Sequence, residues 1–421
     1  VRPDPGNAPR PGDGVPPPGD GPQPGAGPQP GAGVPPPGDG LPDPWRNLPA
    51  SGAWREGDDP GDREFVEVFA DRPLQLEAGG TLGPVTVAYE TWGTPRPDGA
   101  NAVLVLHALT ADSHLSGPAG PAHRAAGWWD AIVAPGAALD PSTWWTVCPN
   151  VLGGCQGSTG PASRHPDGRP WGSRFPVLTV RDQVAVEVAV ADALGVARWA
   201  LVVGGSMGGM RALEWAVGAP DRVERCAVIA CGAAATAEQI ALCAVQSAAI
   251  RLDPGFAGGD YYNAPPGAGP ARGLGVARRL GHITYRSEAE LELRFGRQAQ
   301  PGEEPLAGGR YSVESYLDHQ ALKLARRFDA NSYLTLSRAM DHHDIGRDRG
   351  GVAAALAGVT ARATVAGVDT DRLYPMRLQQ ELVDLLPTRP TLRVLTSAAG
   401  HDGFLIEADQ IDKVVADALG A

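Results

Sequence analysis

The chain lacks any stretch approaching the roughly 18 uninterrupted apolar residues of a membrane-spanning helix, and it has no apolar secretory segment near its start. It also lacks a cysteine framework. Cys148, Cys155, Cys226, Cys231 and Cys243 are odd in number and contain no C-x-x-C pair. This usage suits reduced thiols in a cytoplasm and argues against a disulfide scaffold or a zinc site. Positive charge is in short supply as well: 36 Lys and Arg against 48 Asp and Glu leave a formal net charge of −12. A general nucleic-acid or anionic-membrane surface is therefore not expected, while a local basic pocket for an anionic substrate remains compatible with the composition. An initiating methionine is missing too, and opening on Val1 fits an alternative start codon or a start assigned too far upstream.

Residues 1–44 contain no aromatic side chain and repeat themselves, with "VPPPGDG" at Val15 and Val34 and "PQPGAG" twice in tandem between them. Glycine does not recur every third residue, which excludes collagen, and so little apolar surface cannot offset the entropy of ordering. This segment is expected to be a disordered tail. From about Trp45 the composition becomes globular. "VTVAYETWG" (85–93), "AVLVLHAL" (102–109), "WWTVCPNVLG" (144–153), "VERCAVIACGA" (223–233), "ARATVAGV" (361–368) and "LRVLTSA" (392–398) read as strands, with a helical stretch at 180–194. Continuous apolar strands alternating with helices predict an α/β fold with a mainly parallel sheet covered on both faces. Residues 234–351 break the alternation and carry only helical patterns, too long a connection unless it is a structure of its own. The expected organisation is a core of 45–233 and 352–421 with a helical lid at 234–351.

The chemistry-bearing motif is "LVVGGSMGGMRALEWA" (201–216), where Ser206 sits among four glycines at a strand-to-helix junction. In a G-x-S-x-G elbow the chain turns so sharply that a Cβ beside the serine would clash, and the serine hydroxyl is left exposed at the helix N-terminus. Serine needs a base, and the base needs an orienting acid. His282, His319, His342 and His343 fall inside the helical insertion, whereas His401 follows a late strand in "AAGHDGF" and is the expected base. For the acid, Asp369 and Asp371 in "GVDTDRLYP" are both placed just past a strand, and spacing does not separate them. The backbone N–H groups of Met207 and of Leu109, at the end of an early strand, are the candidate oxyanion donors. "DHHDIG" (341–346) does not present paired ligands on one helix face, so no metal is expected there.

"NVLGGCQGSTGPAS", "WGSRFPVLTVRD", "GGSMGGMRALEW", "RFDANSYLTL", "DTDRLYP" and "GHDGF" together resemble the homoserine O-acetyltransferases of methionine biosynthesis, from about Phe65 to the C-terminus. The resemblance implies an α/β-hydrolase fold and a ping-pong transfer in which Ser206 takes acetyl from acetyl-CoA and passes it to L-homoserine. It implies no bound cofactor and no metal. It places the acid at Asp371, the residue before R-L-Y-P, and assigns the homoserine carboxylate to Arg278 and the ammonium to Asp402, with Tyr285 nearby. A cytoplasmic homodimer built through the lid helices would fit it. Succinyl transfer, serine as acceptor, a plain esterase and a catalytically silent receptor are the competing readings. Asp348 in "GRDRGG" stands where a glycine is more usual in the family.

Overall fold

The computed structural model describes residues 43–420. The expected tail lies outside the described residues except for Asp43 and Pro44, which are in place. The Asp43 carboxylate accepts the Trp45 backbone N–H at 3.0 Å and pairs with Arg272.

Among the described residues ten strands form, in chain order: β1 (Glu64–Val68), β2 (Leu74–Gln75), β3 (Thr81–Leu82), β4 (Val85–Trp92), β5 (Ala102–Leu106), β6 (Trp145–Pro149), β7 (Leu201–Gly205), β8 (Arg225–Ile229), β9 (Arg362–Val368) and β10 (Arg393–Leu395). Eight make one sheet in the order β1-β4-β6-β5-β7-β8-β9-β10, and β2 with β3 makes a separate two-stranded ribbon. β1 and β4 pair antiparallel at one edge, and every pairing from β6 onward is parallel. β5, β6 and β7 are buried along their whole length, as expected of strands covered on both faces. Alternation along β5 divides the core. Ala102, Leu104 and Leu106 join one apolar cluster with Leu213, Trp215 and Leu356, while Val103 and Val105 join another with Trp129, Ile411 and Val415.

The helices are α1 (Val180–Ala193), α2 (Met207–Gly218), α3 (Ala237–Arg251), α4 (Ala271–Tyr285), α5 (Glu288–Phe295), α6 (Ser312–Ala325), α7 (Ala330–Asp341), α8 (Val352–Ala357), α9 (Met376–Leu385), α10 (Gly403–Ile406) and α11 (Ala408–Leu419). Thr179 and Thr236 begin α1 and α3 with reciprocal capping boxes to Asp182 and Gln239. One buried network locks α1, α2 and the end of β5 together. Arg211 on α2 donates to the Glu187 carboxylate at 2.5 Å and to the His107 carbonyl at 2.5 Å, and Trp215 donates to the other Glu187 oxygen at 2.8 Å.

Between β8 and β9 the described residues contain helices α3 to α8, and no strand longer than an isolated bridge. The two ends of this excursion meet. Ala234 bridges Asp344, with the Ala235 N–H donating to the His343 carbonyl at 2.8 Å and the Ile345 N–H to the Ala233 carbonyl at 2.9 Å. His343 adds a ring hydrogen bond from Nε2 to the Gly232 carbonyl at 3.0 Å.

Candidate active site

β7 ends and α2 begins around Ser206, which adopts φ 57° and ψ −122°. This is a region that L-residues avoid unless the surroundings hold them there. The turn is possible because of its neighbours: a Cβ on Gly208 would run into the Leu106 carbonyl oxygen, and one on Gly204 would meet the Gly208 backbone. The Ser206 N–H donates to the Ile229 carbonyl at 3.0 Å, tying the elbow to β8. Met207, fully buried, supplies the first N–H of α2, which has no acceptor within the helix.

The structure brings Ser206, His401 and Asp371 together. His401 Nε2 lies 2.9 Å from the Ser206 hydroxyl and Nδ1 lies 2.6 Å from an Asp371 oxygen. The second Asp371 oxygen, Oδ1, accepts the backbone N–H groups of Leu373 and Tyr374, each at 2.8 Å, so its lone pairs are aimed by the turn itself. Asp369 instead accepts the Ser397 N–H at 3.1 Å and is exposed. With Asp371 as the acceptor, the proton of neutral His401 sits on Nδ1 and Nε2 is left to accept from the Ser206 hydroxyl. Burial alone would depress the imidazole, but the adjoining Asp371 charge and hydrogen bond, with Asp402 adding to them, raise its pKa above the ordinary value. Tyr374 stacks on the imidazole at 4.9 Å between centroids and fixes its plane.

A cavity of about 130 Å³ opens over this chain, with Ser206, His401, Leu109, Arg278, Tyr285 and Asp402 in its wall. Arg278, from α4, donates from Nη1 to the Thr110 hydroxyl at 3.2 Å, and its Cζ lies 5.6 Å from the Tyr285 ring centroid. Among the described residues it forms no ion pair. Asp402 is engaged differently: Arg286 Nε lies 3.0 Å from its carboxylate, and Arg286 also pairs with Glu290 at 3.0 Å. Nothing in the sequence had marked Arg286. Asp341, Gln239 and Gln246 also line the cavity, on the face opposite the sheet contributed by the insertion.

Two histidine groups lie outside this site. In "DHHDIG", His343 is buried and neutral, its pKa lowered to about 4 mainly by burial, and it serves the Gly232 contact described above. Glu90, His114 and His123 converge as potential metal ligands. Their geometry does not suit a shared ion, because the two imidazoles are stacked with centroids 3.7 Å apart and planes within 11°. A cation between them would lie out of both ring planes, away from the nitrogen lone pairs.

Comparison with known proteins fits this geometry. A family model described as alpha/beta hydrolase fold matches residues 101–408. The homoserine O-acetyltransferase of Thermobifida fusca (strain YX) is 59% identical over 372 residues, covering 88% of this chain and 97% of that protein. The chain belongs to the homoserine O-acetyltransferase family. Solved structures agree on the fold. The homoserine O-acetyltransferase of Bacillus anthracis superposes with a TM-score of 0.77 at 28% identity, covering 85% of this chain and 97% of that one. Esterase E22 superposes with a TM-score of 0.76 at 26% identity, over 85% and 99% of the two chains. Fold alone therefore does not separate family transferases from esterases, whereas sequence identity does.

Proposed function

We propose that this protein transfers an acetyl group from acetyl-CoA to the hydroxyl of L-homoserine, by a ping-pong reaction through an acetyl-serine. The observation that carries the reading is a hydrogen-bonded Ser206–His401–Asp371 chain sharing one cavity with Arg278, a cation without a carboxylate partner among the described residues. In the first half-reaction Ser206 Oγ attacks the thioester carbonyl while His401 Nε2 takes the hydroxyl proton. Asp371 stabilises the imidazolium, and the proton returns to the departing thiolate as the C–S bond breaks. In the second half-reaction the homoserine hydroxyl gives its proton to His401 and attacks the acetyl carbon. Ser206 leaves and recovers the proton. The backbone N–H groups of Leu109 and Met207 receive the oxyanion of each tetrahedral intermediate, each contributing on the order of 100- to 1000-fold in rate.

Arg278 suits the homoserine carboxylate, because a planar guanidinium can meet both oxygens at once. Asp402 faces the ammonium, with Arg286 holding the carboxylate in place and Tyr285 forming the adjoining wall. No helix of the described residues is long and apolar enough to cross a membrane. All five cysteines are free thiols, in keeping with a cytoplasmic enzyme. Apolar side chains exposed on the insertion, Val245 at 60% on α3 and Val276 at 49% on α4, support a homodimer joined through these helices.

Product analysis tests the reading. Purified protein supplied with homoserine or serine, and with acetyl-CoA or succinyl-CoA, is expected to form O-acetylhomoserine in preference to the other esters, and Ser206→Ala to form none. Esterase E22 shares the fold, so the second reading is hydrolysis. Release of CoA at an unchanged rate without any amino acid would establish it and remove the roles given to Arg278 and Asp402.

A further inference from the structure

Among the described residues, Arg63, Arg181, Arg211, Arg278 and Arg327 have a buried Nε with no hydrogen-bond partner. Two of them pair with carboxylates through their terminal nitrogens, Arg181 with Glu77 and Arg211 with Glu187. Among the described residues Arg63, Arg278 and Arg327 form no ion pair, and these three line one cavity of about 380 Å³.

Arg63 is only 5% exposed. It donates to neutral oxygens alone, the Pro60 and Ala122 carbonyls at 3.1 and 3.3 Å and the Gln156 side chain at 3.4 Å. Gln156 turns its amide the other way and donates to the Arg327 carbonyl at 2.6 Å, so one side chain fixes the spacing of two cations. Burial lowers the pKa of Arg327, and the Arg278 charge adds to that effect while Asp112 opposes it. Three carboxylates also line the wall, Asp58, Asp59 and Asp112; they accept the backbone N–H groups of Arg55, Gly61 and His114, and among the described residues none pairs with Arg63, Arg278 or Arg327. A guanidinium held away from water without an ion-pair partner is costly, and one buried and two half-buried guanidiniums around one space suit a polyanion. The cavity adjoins the catalytic one, and Ala108, Thr110, Arg278 and Leu405 line both.

We infer that this second cavity, built by Arg63 and Arg327 with Arg278 at its junction with the catalytic cavity, binds the phosphates of the acyl-CoA donor. The inference rests on the transferase reading and deepens it. The acetyl thioester reaches Ser206 through the junction while the phosphates remain among the arginines. Arg278 then serves both half-reactions, facing the donor first and the acceptor carboxylate once CoA has gone. This explains how one small site admits two dissimilar substrates in turn.

The test compares acetyl-CoA with S-acetylpantetheine, which presents the same thioester and arm without any phosphate, using homoserine as acceptor. Arg63→Met and Arg327→Met are each expected to lower the preference for acetyl-CoA, read as the ratio of kcat/KM for the two donors, by about tenfold or more, the size of a lost charge-assisted hydrogen bond. The ratio cancels general damage to the enzyme. CoA binding followed by calorimetry is expected to weaken by a similar factor. Arg327→Met and Arg63→Lys supply the answer if Arg63→Met does not fold. A donor ratio and CoA affinity unchanged in folded variants would overturn the inference and leave the transferase reading standing. Wild-type protein that binds CoA but makes no O-acetylhomoserine would overturn the reading instead.

Discussion

At the scale of single residues, the orientation of His401 is the property on which the chemistry turns. Asp371 raises the imidazole pKa, so the neutral base is lost as pH falls through a value above the ordinary histidine pKa of about 6.5. The pH profile of kcat/KM for acetyl transfer is expected to rise through a midpoint above that value. Asp371→Asn is expected to move the midpoint down and to lower kcat on the order of 1,000- to 10,000-fold, because the asparagine amide favours the wrong tautomer. A midpoint that moves up would contradict the assignment. Asp348 offers a quieter test. It adopts φ 59°, the left-handed region where a glycine is unstrained, and it is exposed. Asp348→Gly is therefore expected to raise Tm modestly, by at most about 1 kcal/mol of stability, with activity unchanged. Ser206, His401 and the Asp369 or Asp371 alternative could be read directly, since an elbow, a chain order and two strand ends are local signals. Arg278 and Asp402 came only with the resemblance. Arg286, Arg63 and Arg327 were not legible, because what distinguishes them is the presence or absence of a partner far away in the chain.

At the scale of elements, the parallel strands were legible for a physical reason: covered on both faces, β5, β6 and β7 are continuous apolar runs with clear ends. The edge was not. β1 has exposed or half-exposed residues at all but its last position, and β2 and β3 are two residues each, so none carries a run to find. Helix α2 illustrates what the sequence hides. Its Arg211 reads as a surface residue of an amphipathic helix but is fully buried against Glu187. Glu187→Leu leaves the guanidinium without its counter-charge and the Trp215 N–H without its acceptor and is expected to cost about 3–5 kcal/mol, measured by chemical denaturation. The double variant Glu187→Leu with Arg211→Met is expected to recover most of that loss, because the charge goes with its partner.

At the scale of the whole molecule, histidines set the response to acid. His107 and His343 are buried and neutral, with pKa values lowered to about 3 and about 4, in both cases chiefly by burial. The unfolded chain binds their protons from about pH 6.5 downward while the folded chain refuses them, so their contribution is complete above that pH and is lost as pH falls. His401 has the opposite sign: its contribution is complete below about pH 6.5 and is lost as pH rises through its raised folded value. Tm is thus expected to peak near pH 6.5. His343→Gln is expected to flatten the acid side by about one proton, roughly 1.4 kcal/mol per pH unit.

The pairing of Ala234 with Asp344 brings the two ends of the insertion side by side. Topologically, everything between them is a single loop hung from the sheet, and Arg278 and Tyr285 hang there while Ser206, Asp371 and His401 do not. The insertion thus carries the residue proposed for the acceptor carboxylate, whereas Asp402, proposed for its ammonium, stays on the core beside His401. Replacing residues 235–343 with the equivalent segment of a relative that uses another acceptor is expected to shift acceptor choice, read by product analysis, while the demand for an ammonium stays with Asp402. A fold built this way can change its product line by trading one contiguous cassette.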